Sequence, residues 1–330
     1  MSPHEKYMRR CLELAKNGLG RVAPNPMVGA VLVREGSIVA EGYHRAHGLP
    51  HAEVEAIGRV GDKGLPAGCT LYVSLEPCCH FGKTPPCTDL IIASKIPRVV
   101  VATPDTFGQV NGAGILRLRS AGVDVTVGVL EREARELNRR FFTFHEKARP
   151  YVILKWAQSA DGFIDARRAA GAPPAAISGE QAHRLSHKWR TEEQAIMVGT
   201  RTATLDNPAL TARRWHGSNP LRVVVDRHGA LPRSLRLFNG EAPTVALTGG
   251  DPRGWMQALR ERGVQSLIVE GGAALLQAFI DAALWDEARI FTAPKSLGQG
   301  VPAPRLAGAV QHSILVGEDS LQIVSNEKKF

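Results

Sequence analysis

Two stretches decide the fold of the first half of this chain: His51-Ala52-Glu53 and Pro77-Cys78-Cys79-His80-Phe81-Gly82-Lys83-Thr84-Pro85-Pro86-Cys87. One imidazole and two thiolates can hold zinc and leave its fourth position to water. A carboxylate close to the histidine in sequence can then move the proton of that water. The pattern predicts hydrolytic removal of an amino group from a nitrogen heterocycle, with His51, Cys78 and Cys87 as zinc ligands and Glu53 as the catalytic acid–base group.

A structural zinc site is the alternative interpretation of the same residues. Such a site normally has four protein ligands, and Cys79 or His80 could supply the fourth. Glu53 would then have no purpose, so we favour a catalytic site. The spacing also departs from the common P-C-x-x-C pattern of nucleobase deaminases, because Cys87 lies nine residues after Cys78.

Alternating strands and helices surround these stretches and predict a three-layer α/β domain. A first helix is expected where Ser2 and Glu5 form a capping box and Pro3 takes the first helical position. The pattern predicts further helices at 51–60, 87–94, 114–121 and 131–144, and strands at 28–33, 37–40, 70–74, 98–102 and 123–127.

A domain boundary is expected near Ala148-Arg149-Pro150, where a charged helix end meets a proline and a new strand. This divides the chain into domains 1–148 and 149–330, in keeping with about 150 residues per domain. No internal repeat relates the two, so we expect different folds. The pattern predicts helices at 178–190, 254–262 and 273–282, and strands at 151–155, 195–198, 222–225, 245–247, 266–269, 288–292 and 321–324.

Composition narrows the class of protein. Hydrophobic residues make up 44% and charged residues 22% of the 330 residues, as in an ordinary globular protein. The net charge of +9 comes without a run of basic residues, which favours phosphorylated small molecules over nucleic acid as partners. We expect no membrane span, because no stretch is apolar for about 18 residues. Five cysteines, three of them close together, favour metal chemistry in a reducing cytoplasm over disulfides.

The first half resembles the bifunctional deaminase/reductase family of riboflavin biosynthesis. The resemblance is carried by Pro24-Asn25-Pro26, His51-Ala52-Glu53, Glu76-Pro77-Cys78 and the long loop that ends at Cys87. It implies a cytidine-deaminase-like fold, one Zn²⁺ per chain, and the substrate 2,5-diamino-6-ribosylamino-4(3H)-pyrimidinone 5′-phosphate. By the same resemblance, the substrate pocket is lined by Asn25, His44, His80 and Lys83.

The second half resembles the reductase half of the same family, on three runs: 155–162, 198–213 and Val269-Glu270-Gly271-Gly272. The resemblance implies a dihydrofolate-reductase-like fold and NADPH, which reduces the ribosyl group to the ribityl group. The implied residues are Ala157, Thr202, Asp206 and Gly272 near the cofactor, and Arg190, Leu210, Arg213 and Glu270 near the substrate. We also expect a homo-oligomer.

Two runs depart from the family pattern. Asp105-Thr106-Phe107 stands where the family often has Asp-Pro-Asn, and Pro174-Ala175-Ala176-Ile177 where it often has Ser-x-Trp-Ile. The second departure removes an aromatic contact to the cofactor that Trp156 could replace. It leaves open the alternative that the protein is a deaminase whose C-terminal half binds a nucleotide or ribosyl phosphate but does not reduce it. A nucleic-acid deaminase with an RNA-binding tail and a non-enzymatic zinc module are the remaining alternatives.

Overall fold

The chain divides into two compact units in a computed structural model, Met1–Ala148 and Arg149–Phe330. The structure describes residues 2–61, 64–65, 67–81, 85–106, 112–168 and 172–326. Within these residues no helix is both long enough and apolar enough to cross a membrane.

Five strands and six helices form the described part of the first unit. The helix at the N-terminus begins as predicted, since the Ser2 hydroxyl accepts from the Glu5 amide and the Glu5 carboxylate accepts from the Ser2 amide. The strands are β1 Gly29–Arg34, β2 Ser37–Tyr43, β3 Thr70–Val73, β4 Arg98–Val101 and β5 Asp124–Val127; the helices are α1 Pro3–Ala15, α2 Ala52–Gly58, α3 Cys87–Ala93, α4 Ala113–Ser120, α5 Glu131–Leu137 and α6 Arg139–Glu146.

These strands form one sheet in the order β2-β1-β3-β4-β5. β1 is antiparallel to β2 and β3, whereas β3, β4 and β5 run parallel. Apolar residues of α2, α3 and α4 pack on one face of the sheet and those of α1 and α5 on the other. The predicted three-layer arrangement is therefore confirmed, and its parallel strands end beside the loops that carry the metal-ligand candidates.

The helix predicted over 131–144 is two helices, and the single-helix prediction is wrong. The chain leaves helical geometry at Asn138, which has φ −99° and ψ 24°. The side chain of Asn138 bonds to the backbone of Met27 instead of facing solvent. A distant contact therefore breaks a segment whose local pattern favours continuous helix.

The second unit contains ten strands and four helices among its described residues. The strands are β6 Tyr151–Gln158, β7 Phe163–Asp165, β8 Ala195–Gly199, β9 Leu221–Val225, β10 Thr244–Leu247, β11 Ser266–Val269, β12 Glu287–Thr292, β13 Val301–Pro302, β14 Ala309–Val316 and β15 Asp319–Ser325; the helices are α7 Glu180–Glu192, α8 Thr200–Asp206, α9 Pro252–Glu261 and α10 Ala273–Asp281.

An eight-stranded sheet runs through this unit in the order β10-β9-β8-β11-β6-β12-β15-β14. The first six strands are parallel, and β15 and β14 extend the sheet by antiparallel pairing. Apolar side chains of α9 and α10 cover one face, and those of α7 and α8 cover the other. A short second sheet joins β13 to β7.

Sequence patterns missed α8, β7, β13 and β14. The eight residues of β14 are mostly exposed, so they lack the alternation of apolar and polar residues that marks a half-buried strand. β7 and β13 have three and two residues, too few for any periodicity to be recognised.

Candidate active sites

Three separate elements of the first unit bring the candidate zinc ligands together. His51 is the N-cap of α2, Cys78 lies in the loop after β3, and Cys87 is the first residue of α3. The Nδ1 atom of His51 lies 3.6 Å from Cys78 Sγ and 3.3 Å from Cys87 Sγ. Tetrahedral zinc, with bonds of about 2.0 Å to nitrogen and about 2.3 Å to sulfur, separates such atoms by about 3.6 Å. The donor set therefore fits zinc.

Hydrogen bonds within this cluster favour a negative charge on the Cys78 sulfur. The Cys78 sulfur accepts the Cys87 amide at 3.3 Å. A hydrogen bond from the Cys87 side chain lowers the pKa of Cys78 to about 4, and the same pair raises that of Cys87 well above its usual value. The bond to Cys78 also raises the pKa of His51. The lowered pKa of Cys78 favours its thiolate, which is the form of cysteine that binds a divalent metal.

Glu53 lies in the first turn of α2 and is only 3% exposed. Burial raises the pKa of its carboxyl to about 7. A carboxyl group with a pKa near neutrality can both take up and release a proton. Among the described residues only His51, Cys78 and Cys87 form a potential metal cluster; neither Cys79 nor His80 joins them, which favours a site with an open fourth position.

Two of the four residues expected in the deaminase substrate pocket lie beside the ligand cluster. The rings of His44 and His51 are 5.4 Å apart, edge to face. His44 Nδ1 lies 3.0 Å from the Pro50 carbonyl oxygen, so this nitrogen carries the hydrogen and Nε2 accepts from the Asn25 amide at 3.0 Å. Burial lowers the pKa of His44, which keeps the ring neutral in this arrangement.

The other two residues belong to the cysteine loop. His80 is half-buried, two residues after Cys78. Lys83 lies outside the described residues, and so does Phe107 of the first departure from the family pattern.

Asn138 is a residue that the motif analysis missed. It is 2% exposed, and its side chain accepts from the Met27 amide at 2.8 Å and donates to the Met27 carbonyl at 2.9 Å. Met27 follows Pro24-Asn25-Pro26, so Asn138 holds the segment that presents Asn25. The only signal in the sequence is an asparagine inside a helical pattern, where asparagine is unfavourable.

In the second unit, Arg190 of α7 and Glu270, directly after β11, form a buried pair. The guanidinium approaches the carboxylate at 2.7 Å and 3.3 Å and also donates to the Thr211 carbonyl at 2.9 Å. Burial would raise the pKa of Glu270, but the charges of Arg190 and Lys155 outweigh it and lower the pKa to about 2. Arg190 and Glu270, two of the four residues expected near the substrate, therefore lie together and are bound to each other.

Lys155 and His187 lie in the same electrostatic environment, and neither was predicted as a site residue. Burial lowers the pKa of Lys155, opposed by the carboxylate of Glu270. Burial and the charges of Arg190 and Arg213 lower the pKa of His187 to about 4. His187 is 4% exposed and lies on the buried side of α7. The sequence could have marked Lys155 as a candidate, because a lysine inside the apolar strand β6 is unusual.

Leu210 and Arg213 lie in one segment after α8. Leu210 is buried in the core against α7 and β8. Arg213 is an exposed residue, and partial burial of its guanidinium, followed by the charge of Arg190, lowers its pKa. The structure therefore places an available guanidinium near the buried Arg190–Glu270 pair.

The four candidate cofactor residues lie on three elements of this unit. Ala157 is in β6, and Thr202 and Asp206 are in α8. Gly272 is the N-cap of α10, and a Cβ atom there would lie 3.3 Å from Thr202 Oγ1. Two of the four positions, Thr202 and Gly272, are thus adjacent at the start of a helix, where backbone N–H groups favour a phosphate.

Asp206 already has a partner within the protein. Its carboxylate binds Arg168, which also binds Asp165 at 2.7 Å. Arg168 was not predicted as a site residue, since a lone arginine in a loop carries no motif.

Trp156 does not replace the aromatic residue missing before Ile177. The indole is 5% exposed, packs within the core, and donates to the Gln158 side chain at 2.8 Å. It has no face available for stacking on a cofactor, so that expectation is wrong.

Fold and site together define the class: a zinc-dependent deaminase domain followed by a reductase domain of dihydrofolate-reductase type. Residues 1–103 match the family model of the cytidine and deoxycytidylate deaminase zinc-binding region, and residues 150–325 match the RibD C-terminal domain. The chain belongs to the RibD family of bifunctional riboflavin-biosynthesis enzymes. Its cofactors are zinc for the first half and NADPH for the second.

Similar proteins match over nearly the whole chain. The riboflavin biosynthesis protein RibD of Aquifex aeolicus is 41% identical over 320 residues, covering 90% of this chain and 88% of its own. RibD of Escherichia coli is 36% identical, covering 89% and 88%. The crystal structure of the deaminase/reductase of Thermotoga maritima has a TM-score of 0.89 at 37% identity and covers 98% of each chain. The predicted family and both predicted fold types are therefore confirmed.

Proposed function

We propose that this enzyme deaminates 2,5-diamino-6-ribosylamino-4(3H)-pyrimidinone 5′-phosphate and then reduces the ribosyl side chain of the product to the ribityl side chain with NADPH. The observation that carries the proposal is the zinc-compatible cluster of His51, Cys78 and Cys87 beside the buried carboxyl of Glu53. We assign the deamination to residues 1–148 and the reduction to residues 149–330.

For the first reaction, zinc supplies a water whose pKa is lowered to about 7. Glu53 would take the proton from the attacking water and deliver it to the ring nitrogen and the departing ammonia. Asn25 and His44, joined by their hydrogen bond, would bind the pyrimidine. The resemblance adds His80 and Lys83, and the ammonium of Lys83 suits the substrate phosphate.

For the second reaction, NADPH supplies the hydride. Ala157, Thr202, Asp206 and Gly272 would hold the cofactor beside α8 and the start of α10. Arg190, Leu210, Arg213 and Glu270 would form the substrate side. Exposed Arg213 is the side chain best placed to bind a phosphate by its guanidinium fork, because Arg190 is already bound to Glu270.

Product identification tests both steps. Purified enzyme is incubated with the diaminopyrimidine phosphate, with and without NADPH, and the products are identified by mass. Without NADPH we expect a product in which oxygen from water replaces an amino group, with release of ammonia. With NADPH we expect a further gain of two hydrogens. No deaminated product would contradict the proposal.

A second candidate function follows from Pro174-Ala175-Ala176 and the buried Trp156. If the missing aromatic contact is essential, the second unit binds the deaminated product without reducing it. Deamination without NADPH oxidation, together with intact product binding, would select this alternative.

We infer that the partners are a phosphorylated pyrimidine and a second copy of the chain, in a cytoplasmic enzyme. The net charge of +9 suits a phosphate-bearing substrate, and free thiolates as ligands suit a reducing compartment. The outermost strand β14 exposes Val310, Ile314 and Leu315, at 55%, 55% and 77%. An edge strand with exposed apolar side chains and no Lys, Arg, Asp or Glu favours pairing with its own copy.

Light scattering on the purified protein tests the second copy. We expect a mass above that of one chain, and a lower mass when Leu315→Lys places a charge on β14. A monomeric wild-type protein would contradict the inference.

A further inference from the structure

Glu76 is a buried carboxylate for which the deamination itself has no use. It follows β3 closely and is 4% exposed. Oε2 accepts the amides of Asp105 and Gly112, both at 3.0 Å, and Oε1 accepts those of Gly114 and Ile115 at 2.8 Å and 3.2 Å. One carboxylate thus joins the segment after β4 to the first turn of α4, and these four donors stabilise its charge away from water.

The same turn of α4 also packs against the next residue of the loop. A Cβ atom on Gly114 would lie 2.2 Å from the carbonyl oxygen of Pro77. Since that oxygen belongs to the backbone, only glycine allows α4 to approach so closely. Glu76 through its side chain and Pro77 through its carbonyl therefore both contact the first turn of α4. We call these contacts of Glu76 and Pro77 with α4 the seat.

Cys78 follows directly, and its position depends on this seat. Its carbonyl accepts the Thr88 amide at 3.1 Å and its sulfur accepts the Cys87 amide at 3.3 Å, so α3 holds it from the other side. Any shift of Pro77 would move Cys78 relative to His51, which belongs to a different helix. Zinc tolerates little change, because its bonds to sulfur stay near 2.3 Å.

We propose that Glu76 is a positioning residue of the zinc centre. Its carboxylate fastens Pro77 to α4 and thereby keeps the Cys78 sulfur at the separation from His51 and Cys87 that zinc requires. The inference depends on the metal site and not on the identity of the pyrimidine, so it can fail independently of the proposed substrate.

Two variants disturb the seat by different routes. Glu76→Gln replaces an oxygen acceptor by an NH₂ group that faces backbone N–H donors, which removes about half of the hydrogen bonds. Gly114→Ala keeps the carboxylate as a chemical group and pushes the Pro77 carbonyl away, although its Cβ would also lie 3.1 Å from Glu76 Oε1. Leu116→Ala, at a 64% exposed position of α4, is the matched control.

Zinc release to EDTA and the spectrum of the Co²⁺-substituted protein report on the ligand geometry without any substrate. We expect both seat variants to release zinc about tenfold faster or more, to alter the thiolate-to-cobalt absorption, and to lower kcat for deamination more than they raise KM. Leu116→Ala should behave as wild type. NADPH-dependent reduction of the deaminated product, a reaction of the other unit, should be unchanged in all three and shows that the second unit is intact; the melting temperature of the first unit shows whether that unit is folded.

A purely structural role gives a different result. Both seat variants would then lower the melting temperature while zinc release and the cobalt spectrum stay at wild-type values, and this would overturn the proposal. Should Glu76→Gln fail to fold, Gly114→Ala decides by the same two measurements.

Discussion

Glu53 shows how a single side chain acquires its chemistry from its surroundings. The neighbouring Glu55 on the same helix is partly exposed and pairs with Arg45 at 3.0 Å. Glu53 is buried beside the ligand cluster, where burial raises its pKa to about 7. Burial therefore turns one of two similar glutamates into a group able to exchange a proton at neutral pH.

Replacing Glu53 should separate metal binding from catalysis. We expect Glu53→Gln to keep its zinc and to lower the rate of ammonia release by about 10²-fold to 10⁴-fold, because the amide cannot carry the proton. Zinc content by atomic absorption and ammonia release are the measurements. Glu55→Gln is the matched control and should remain active; a Glu53→Gln enzyme with wild-type turnover would contradict the role given to Glu53.

Glu270 shows the opposite shift. Its pKa is lowered to about 2, below the ordinary value of 4.5. A carboxyl whose pKa is lower in the folded state stabilises the fold fully above the unfolded pKa. That contribution is lost as the pH falls toward the folded pKa.

We expect the free energy of unfolding of the second unit to decrease as the pH falls from about 5 to about 2. In Glu270→Gln this pH-dependent decrease in the free energy of unfolding should be absent. The variant should be less stable at neutral pH by about 3–5 kcal/mol, because Arg190 stays buried without its partner. Urea unfolding followed by tryptophan fluorescence measures this, since all five tryptophans lie in residues 149–330. The same pH dependence in both proteins would refute the assignment.

At the scale of elements, the break between α5 and α6 links a helix to the segment of the proposed substrate residue Asn25. A continuous helix would give Asn138 an ordinary surface position, whereas the break buries its side chain on Met27. The local cost of the break is offset by two hydrogen bonds that satisfy the buried amide and carbonyl of one residue. These bonds hold the segment of Asn25 in place.

Asn138→Ala should loosen that segment. We expect a loss of about 2–3 kcal/mol in the stability of the first unit, because a buried N–H and C=O lose their partners. We also expect a higher KM for deamination, with zinc content and reductase activity unchanged. Glu133→Gln, at an exposed position of α5, is the control. A wild-type KM in a destabilised Asn138→Ala protein would limit Asn138 to a structural role.

For the whole molecule, the distribution of residue types allows each unit to be followed separately. All five cysteines lie in residues 1–148 and all five tryptophans in residues 149–330. Thiol reactivity therefore reports on the first unit and tryptophan fluorescence on the second. In the proposed assignment the two activities divide in the same way, because the candidate zinc ligands and the Arg190–Glu270 pair belong to different units.

Removing zinc should therefore affect one activity alone. After treatment with a chelator, we expect ammonia release to be lost and the reactivity of Cys78 and Cys87 toward a thiol reagent to increase, since the metal no longer covers them. NADPH oxidation with the deaminated product and the tryptophan emission should stay unchanged. Added zinc should restore deamination; loss of both activities on chelation would contradict separate sites.

Local patterns were sufficient for most of the fold and for proposing the candidate zinc ligands, which the structure brings together. The capping box of α1, the strand β11 and the alternation of strands and helices are properties of neighbouring residues, which periodicity records. The ligands could be predicted because zinc requires particular donor types and because two of them follow a proline and open a helix. Edge strand β14 could not be predicted, since its exposed residues show no alternation of apolar and polar side chains.

The sequence alone determined the chemistry of this protein: donor types, their spacing, and the order of strands and helices. Only the tertiary structure decided which polar groups meet. Arg190 pairs with Glu270 across 80 positions of the chain, and Asn138 binds Met27 across 111. The seat of Glu76 on α4 is likewise absent from any local pattern. Such contacts form because buried polar groups must find partners wherever the packed sheet and helices place them, and no nearby residue records that choice.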